Sequence, residues 1–353
     1  MTILFTGGGT MGPVTPLIAV LRQMKKKRPD LEFAWAGTPN GPEQNVLEKE
    51  EIPFFEIPVA KVPRYPSLRW ITWPLDFWRA HLSSKRIIAK IKPSLVVSAG
   101  GFTGVPIFKA AWLKEIPCAI HQLDAEPGLA NKTVAALCQS VTTSFEYDFL
   151  PFKDVRSWQV ATPCRFANSI PPTKHDAATF FGLDPERPIV LIVGGGTGAK
   201  YLNDGVWKCL GDLLRLTQII HLTGKGKGRS QYPGRRSQDY VAHEFLDENQ
   251  MLKAYAAADL VVSRAGMGGI ADLVCLEKPA ILVPIPNSHQ VNNVRRVPFA
   301  VVMQGNDFSE RLKKQIEYFL KDEGAREELK QKVSTAMPVD DGSALAWVWL
   351  KLL

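Results

Sequence analysis

Two glycine turns, one carboxylate and a pair of amides stand at strand-to-helix connections, where a fold can turn them toward a ligand. Residues 6–17, TGGGTMGPVTPL, follow the apolar run 3–5 and spell G-x-G-x-x-G at Gly7, Gly9 and Gly12, and residues 193–200, VGGGTGAK, close the run 189–193. Bare N–H groups at such a turn can cradle an anion, and the helix behind them adds the positive end of its dipole. A dinucleotide site also needs an Asp or Glu about 20 residues on, at the end of the next strand, to hold a ribose. Those strand ends read AWAG (34–37) and HLTG (221–224) without an acid, which disfavours a nicotinamide cofactor. An anion or a sugar lying on the loop remains, beside plain strand-to-helix packing.

An acid suited to a ribose stands in SRAGMGGIADLVCLEKPAILVPIP (263–286). Strand, glycine turn, helix and strand put Asp272 in the first turns of a helix that starts near Gly268, where favouring the helix dipole is its alternative role. In NSHQVNNVRR (287–296), Gln290 and Asn293 are three apart and share a helix face. Amides that both donate and accept suit sugar hydroxyls, with capping as the alternative.

The elements that must carry these residues alternate. Short Val- and Ile-rich runs at 3–6, 31–37, 54–59, 95–98, 118–122 and 141–144 are separated by helical stretches at 13–27, 70–92, 104–115 and 129–139, the rhythm of a parallel sheet covered on both faces. Pro171 and Pro172 interrupt the pattern, and a second rhythm of strands (188–193, 218–223, 240–244, 260–263, 280–284) and helices (199–216, 249–257, 268–276) follows. The spacing predicts two doubly wound α/β domains, 1–163 and 164–338, with residues 339–353 forming a helix that docks back on the first. A chain of 353 residues with 45% hydrophobic content is long enough for two cores.

Five scattered cysteines without C-x-x-C spacing point to a reducing compartment and no structural zinc. The charge-free opening, before Arg22, is broken by Gly7, Gly8, Gly9, Gly12, Pro13 and Pro16, so no transmembrane helix is expected there and the chain reads as cytosolic. Most of the formal +8 charge sits in 61–92, where eight basic residues, among them Arg69 and Arg79, face Asp76 alone and alternate with Tyr65, Trp70, Trp73, Phe77 and Trp78. Basic charge with interfacial rings suits an anionic membrane surface, although nucleic acid can use the same groups.

Taken in order, these motifs resemble the MurG family of bacterial glycosyltransferases, glycosyltransferase family 28, over nearly the whole chain. The opening turn is similar to the family's first glycine loop, SAGGFTGVP (98–106) to its second, and HQLDAEPGLANK (121–132) to the segment that ends its acceptor cleft. ATPCR (161–165) resembles the turn whose arginine contacts donor phosphate, GGGTGA (194–199) the donor glycine loop with Gly196 in place of serine, and AGMGGIAD with SHQVNN the donor signature. The resemblance implies a GT-B fold and transfer of N-acetylglucosamine, with inversion, from UDP-N-acetylglucosamine to a polyprenyl-pyrophosphoryl muramoyl-pentapeptide on the cytoplasmic face of the inner membrane. It implies no cofactor beyond the donor and no nucleic-acid partner. Donor contacts would come from Arg165, Gly195, Gly196, Thr197, Phe245, Leu246, Gly266, Met267, Asp272, Gln290 and Asn293, with Phe245 and Leu246 near the uracil or in the core. Acceptor contacts would come from Gly9, Thr10, Met11, Gly12, Gly101, Thr103, Gly104 and Asn131, and membrane contacts from Arg69, Trp70, Trp73, Trp78 and Arg79.

The base is displaced. Where the family's first loop ends in histidine this chain has Pro13, and Met11 replaces a glycine. Asp124 and Glu126 are two carboxylates in an otherwise neutral segment, and Asp124 stands where the family has asparagine. Asp124 is the expected base, with Glu126 its rival and His121, at a strand end, a weaker candidate. No D-x-D motif is present, and metal independence is expected. Transfer to another lipid acceptor, and binding without turnover, stay open.

Overall fold

The computed structural model describes residues 1–41, 43–58, 69–147, 149–196, 198–228 and 238–353. Two compact units emerge, Met1–Arg165 with Pro338–Leu353, and Phe166–Met337. The first unit runs β1 (Thr2–Thr6), α1 (Met11–Lys27), β2 (Glu32–Gly37), α2 (Glu43–Lys49), β3 (Phe54–Glu56), α3 (Arg69–Ile91), β4 (Leu95–Ser98), α4 (Gly104–Trp112), β5 (Cys118–Gln122), α5 (Leu129–Val134), β6 (Ser140–Thr143), β7 (Trp158–Gln159) and β8 (Thr162–Pro163). The second runs α6 (Lys174–Phe180), β9 (Ile189–Val193), α7 (Lys200–Leu213), β10 (Gln218–Leu222), β11 (Tyr240–His243), α8 (Glu248–Ala257), β12 (Leu260–Ser263), α9 (Met267–Cys275), β13 (Ala280–Leu282), α10 (His289–Val294), β14 (Ala300–Val301), α11 (Phe308–Lys321) and α12 (Glu323–Ser334). The chain then returns to the first unit as β15 (Val339–Asp340), paired in parallel with β8, and α13 (Ser343–Leu350).

Both main sheets are parallel, which is why their central strands read as unbroken apolar runs: both faces are covered by helices. Ile3, Leu4 and Phe5 of β1 and the central residues of β9 are fully enclosed. Strand order is β3-β2-β1-β4-β5-β6-β7 in the first sheet and β11-β10-β9-β12-β13-β14 in the second. Each sheet winds outward from its first strand and restarts on that strand's other side, so the order reverses between β1 and β4 and between β9 and β12. In open parallel sheets the crevice outside the carboxyl ends of such a strand pair is where ligands bind.

The terminal segment is part of the first core. Trp349 is fully buried with its ring 6.4 Å from that of Phe5, and Gly342, at φ +88°, lies so close to α1 that a Cβ there would stand 2.8 Å from Val20 N. Helix α2, which periodicity did not pick out, is the element that matters most for the first glycine loop. All five cysteines are free thiols, and burial pushes Cys118 up to about 12 and Cys209 up to about 11.

Candidate functional site

A helix start leaves N–H groups without intrahelical partners, and most helices satisfy one with a side chain. α6, α8, α10 and α12 do so, through Thr173, Asp247, Ser288 and Asp322. α1, α4, α7 and α9 do not: their N-cap residues are Thr10, Thr103, Ala199 and Gly266, none has a side-chain cap bond, and none has an acid in its first turn. These are the four helices that leave β1, β4, β9 and β12. α5, α11 and α13 also start without a side-chain cap, so the uncapped start is not confined to these places. What the strand order adds is that both helices at each point of reversal, one pair on each unit, are uncapped, which suits an anion.

On the first unit the two glycine loops touch. A Cβ on Gly7 would lie 3.5 Å from Gly100 O, and one on Gly101 (φ +104°) 3.7 Å from Gly8 N. Thr10 is exposed, while Met11 and Gly12 are half-buried at the start of α1. Thr103 is enclosed with its hydroxyl unpartnered, and Gly104 is buried against Ser98 and Thr6, so Gly104 serves packing rather than contact.

The acceptor-like segment is built around Gln122, the last residue of β5. Its amide nitrogen donates to Asp124 O at 2.9 Å and Glu126 O at 3.0 Å, while its oxygen accepts from Asn131 Nδ2 at 2.6 Å. Asn131 is thus buried and braces the loop instead of facing a ligand. Tyr147 adds a hydroxyl bond to Ala125 O at 2.9 Å. On this clamped turn Asp124 is half-buried and Glu126 exposed. His121 cannot serve as base: it is fully enclosed, its ring nitrogens lie 3.0 Å from Thr142 Oγ1 and Ser144 Oγ, and burial lowers its pKa to about 3. Its position inside a central strand, rather than at the strand's open end, is the reason.

On the second unit Gly195 (φ +79°) and Gly196 are exposed at the apex of the loop, and Thr197 lies outside the described residues. Gly198, at φ +69°, has room for no side chain, since a Cβ would sit 2.3 Å from Thr223 O. Asp272 is in the second turn of α9 and only 4% exposed, and Met267 is buried, leaving its backbone as the part able to reach a ligand. Asn293 is fully enclosed and donates to Ala265 O at 3.0 Å, and Gln290 accepts from Ile285 N at 3.1 Å. The face that Gln290 and Asn293 share therefore points inward, Asn293 onto the turn at Ala265 and Gln290 onto the backbone at Ile285. Phe245 and Leu246 divide: Phe245 is 58% exposed after β11, and Leu246 is core. Arg165 is half-buried at the end of the first unit, two residues beyond the end of β8.

Sequence reasoning missed Arg264 and Asn203. Arg264 follows β12 at the strand-order reversal and lines a recess with Gly198, Lys200, Lys227 and Gln304, where burial lowers its pKa. A cation between a largely apolar strand and a glycine turn was the available signal. Asn203 is enclosed in α7, donates to Thr223 O at 2.9 Å and lies 3.1 Å from His221 Nε2, so it ties the donor-loop helix to β10.

On the membrane-like window, Trp73 is half-buried with its ring 5.5 Å from Phe77, and Trp78 and Arg79 are exposed. The side chains of Arg69 and Trp70 lie outside the described residues. Among the described residues no helix is long and apolar enough to cross a membrane.

Comparison with known proteins agrees with this geometry. Residues 3–143 match the glycosyltransferase family 28 N-terminal domain and residues 189–343 its C-terminal domain. The chain is 34% identical over 286 residues to the UDP-N-acetylglucosamine–N-acetylmuramyl-(pentapeptide) pyrophosphoryl-undecaprenol N-acetylglucosamine transferase of Clostridium perfringens, covering 80% of this chain and 78% of that one. It is 34% identical over 310 residues to the protein of the same name from Nocardioides, covering 84% and 82%. The crystal structure of Acinetobacter baumannii MurG superposes with a TM-score of 0.71 at 23% identity over 99% of both chains, and a UDP-GlcNAc 2-epimerase from Neisseria meningitidis with 0.66 at 13%, also over 99% of both, which shows the shared two-domain GT-B pattern. With both domain models matched in order and a third of the residues shared with curated relatives over four-fifths of its length, the chain belongs to glycosyltransferase family 28.

Proposed function

We propose that this chain is an inverting hexosyltransferase that moves N-acetylglucosamine from UDP-N-acetylglucosamine to undecaprenyl-pyrophosphoryl-muramoyl-pentapeptide, converting lipid I to lipid II for peptidoglycan. The observation that carries this reading is the pairing of uncapped helix ends at the strand-order reversal of each unit, in a chain of family 28. Both substrates are pyrophosphates, and each unit offers one such place. The donor lies on the second unit, its pyrophosphate at the starts of α7 and α9 with Arg264, its ribose at Asp272 and its uracil at Phe245. The acceptor pyrophosphate lies at the starts of α1 and α4. The acceptor 4-hydroxyl attacks C1 of the sugar, the bond from C1 to the UDP oxygen breaks, and Asp124 takes the hydroxyl proton. Helix ends, Arg264 and Arg165 stabilise the charge that builds on UDP, a role that needs no metal.

Transfer of radiolabelled N-acetylglucosamine to a soluble-tailed lipid I analogue in EDTA tests the reading. Turnover is expected. Tight UDP-sugar binding without transfer would favour a different lipid acceptor or a binding-only protein.

A lipid-linked acceptor requires a membrane surface, and α3 is shaped for one. Its 23 residues make a helix about 35 Å long, whereas a five-residue strand spans about 17 Å. α3 ends four residues before β4 begins, so its first turns rise past the carboxyl edge of the sheet, the edge that carries the glycine loops. Ala80, Ser84, Ile87 and Ile88 are buried, while Ile71, Leu75 and Trp78, spaced i, i+4 and i+7, are 77%, 48% and 58% exposed. This apolar stripe with Arg79 beside it suits the cytoplasmic face of an anionic inner membrane better than nucleic acid, which has no use for Ile and Leu. Changing all three to serine should weaken binding to phosphatidylglycerol-containing vesicles by about tenfold or more without lowering the unfolding midpoint. Unaltered vesicle binding would remove α3 from the membrane contact.

A further inference from the structure

The first glycine loop already holds an anion of its own. Glu43, at the start of α2, is fully buried, and its carboxylate accepts from Gly9 N at 3.2 Å, from Thr38 N at 2.8 Å and from Thr38 Oγ1 at 2.5 Å. Glycines make the space it occupies. A Cβ on Gly8 would stand 2.0 Å from Glu43 Oε1, one on Gly41 2.2 Å from Oε2, and one on Gly37 3.0 Å from Oε1. Gly9 itself sits at φ +79°, a conformation that turns its N–H toward the carboxylate. The acid absent from the end of β2 is thus supplied from α2, and it points at the loop rather than at a ribose. A dinucleotide phosphate seated on Gly9 would meet this carboxylate.

Resting on the assignment of the acceptor pyrophosphate to this loop, we propose that Glu43 is a positioning residue for the acceptor. By claiming Gly9 N–H it fixes the loop and leaves the pyrophosphate only the outward N–H groups at the start of α1, from Thr10 to Gly12, and those of the loop before α4. Pro13 adds none. The acceptor phosphate is thereby pushed to the open side of the loop, above Gly12, where a Cβ would meet nothing nearer than Thr10 Oγ1 at 3.8 Å.

The chemistry of the pocket makes the proposal testable by a change of one atom. All three groups that meet the carboxylate are donors, and a carboxylate only accepts. Glu43→Gln turns an N–H against one of them, Gly9 or Thr38, whereas Glu43→Asp keeps the charge but falls one methylene short. Thr38→Val removes one donor to Glu43 and leaves the bond to Gly9 intact. Gly12→Val blocks the open side of α1 without touching Glu43.

Steady-state kinetics with the soluble-tailed acceptor, beside calorimetric UDP binding, should separate these. Glu43→Gln is expected to raise the acceptor KM about tenfold or more, with UDP affinity and donor KM within about twofold. Glu43→Asp should fall between, and Thr38→Val should stay near the parent. If Glu43→Gln yields no folded protein, Glu43→Asp against Thr38→Val makes the same comparison. Acceptor KM and UDP affinity worsening together, or Thr38→Val matching Glu43→Gln, would mean a general structural role and overturn the proposal. An acceptor KM unmoved by Glu43→Gln but raised by Gly12→Val would overturn the role of Glu43 and keep the loop's. A KM unmoved by Gly12→Val would overturn the acceptor assignment and the proposal with it.

Discussion

Exchanging Asp124 for asparagine is expected to lower kcat for sugar transfer about 100-fold or more while leaving UDP affinity within about twofold. Pro13 holds no proton, and His121 is sealed in β5 with both ring nitrogens engaged. The two remaining acids share the turn that Gln122 clamps, and Asp124 is the half-buried one, while Glu126 is exposed. Gln122 donates to the Asp124 carbonyl at 2.9 Å, and the Tyr147 hydroxyl donates to the next carbonyl at 2.9 Å. A base must be placed before its proton affinity matters. Glu126 is exposed, so Glu126→Gln should change kcat by less than about threefold. Asparagine also keeps the size and most of the hydrogen bonding of Asp124, and it is the residue the family pattern carries here. A full-rate Asp124→Asn protein would therefore place the base elsewhere, and a large loss in Glu126→Gln would exchange the two roles.

What the sequence displayed and what it hid follow from range. Strand runs such as 189–193, the glycine turns and the restart of the βα rhythm after Pro172 are local signals, and they located both sheets and both glycine loops. The direction of a side chain is not local. Gln290 and Asn293 share a face, but which way that face points depends on the turn 264–266, some 28 residues earlier, to which Asn293 is bonded. Asn131 and Gln122, nine residues apart, form a pair that only the return of α5 onto β5 creates. Glu43 was hidden twice, since α2 is too short to show periodicity and its carboxylate reaches back 34 residues to Gly9. Arg264 was visible as a charge after an apolar strand, but its meaning came only with the strand order that put β12 beside β9.

Acid should unfold this protein well before its carboxylates are all protonated, because each unit encloses a histidine in the neutral form. His121 on β5 lies between Thr142 and Ser144, and His221 on β10 between Tyr240 Oη at 2.9 Å and Asn203 Oδ1 at 3.1 Å. Burial lowers both from the ordinary 6.5 to about 3. In the unfolded chain these rings take up a proton below pH about 6.5, and in the native units they do not until pH about 3. The unfolded state therefore binds more protons throughout that window, and native stability falls as pH falls. The loss approaches a ceiling of about 5 kcal/mol per histidine below the native pKa, a large fraction of the roughly 5–15 kcal/mol typical of a domain. Unfolding midpoints recorded in urea from pH 7 to 4 should drop steadily below pH 6, and His221→Gln, which cannot titrate, should flatten the acid slope of the second unit while lowering its stability at pH 7. A parent protein whose midpoint stays level from pH 6.5 to 4 would contradict buried neutral histidines. Because Asn203, the partner of His221, also holds Thr223 O beside Gly198, and native His221 stays neutral over this range, UDP affinity should hold until the second unit unfolds and be lost with it.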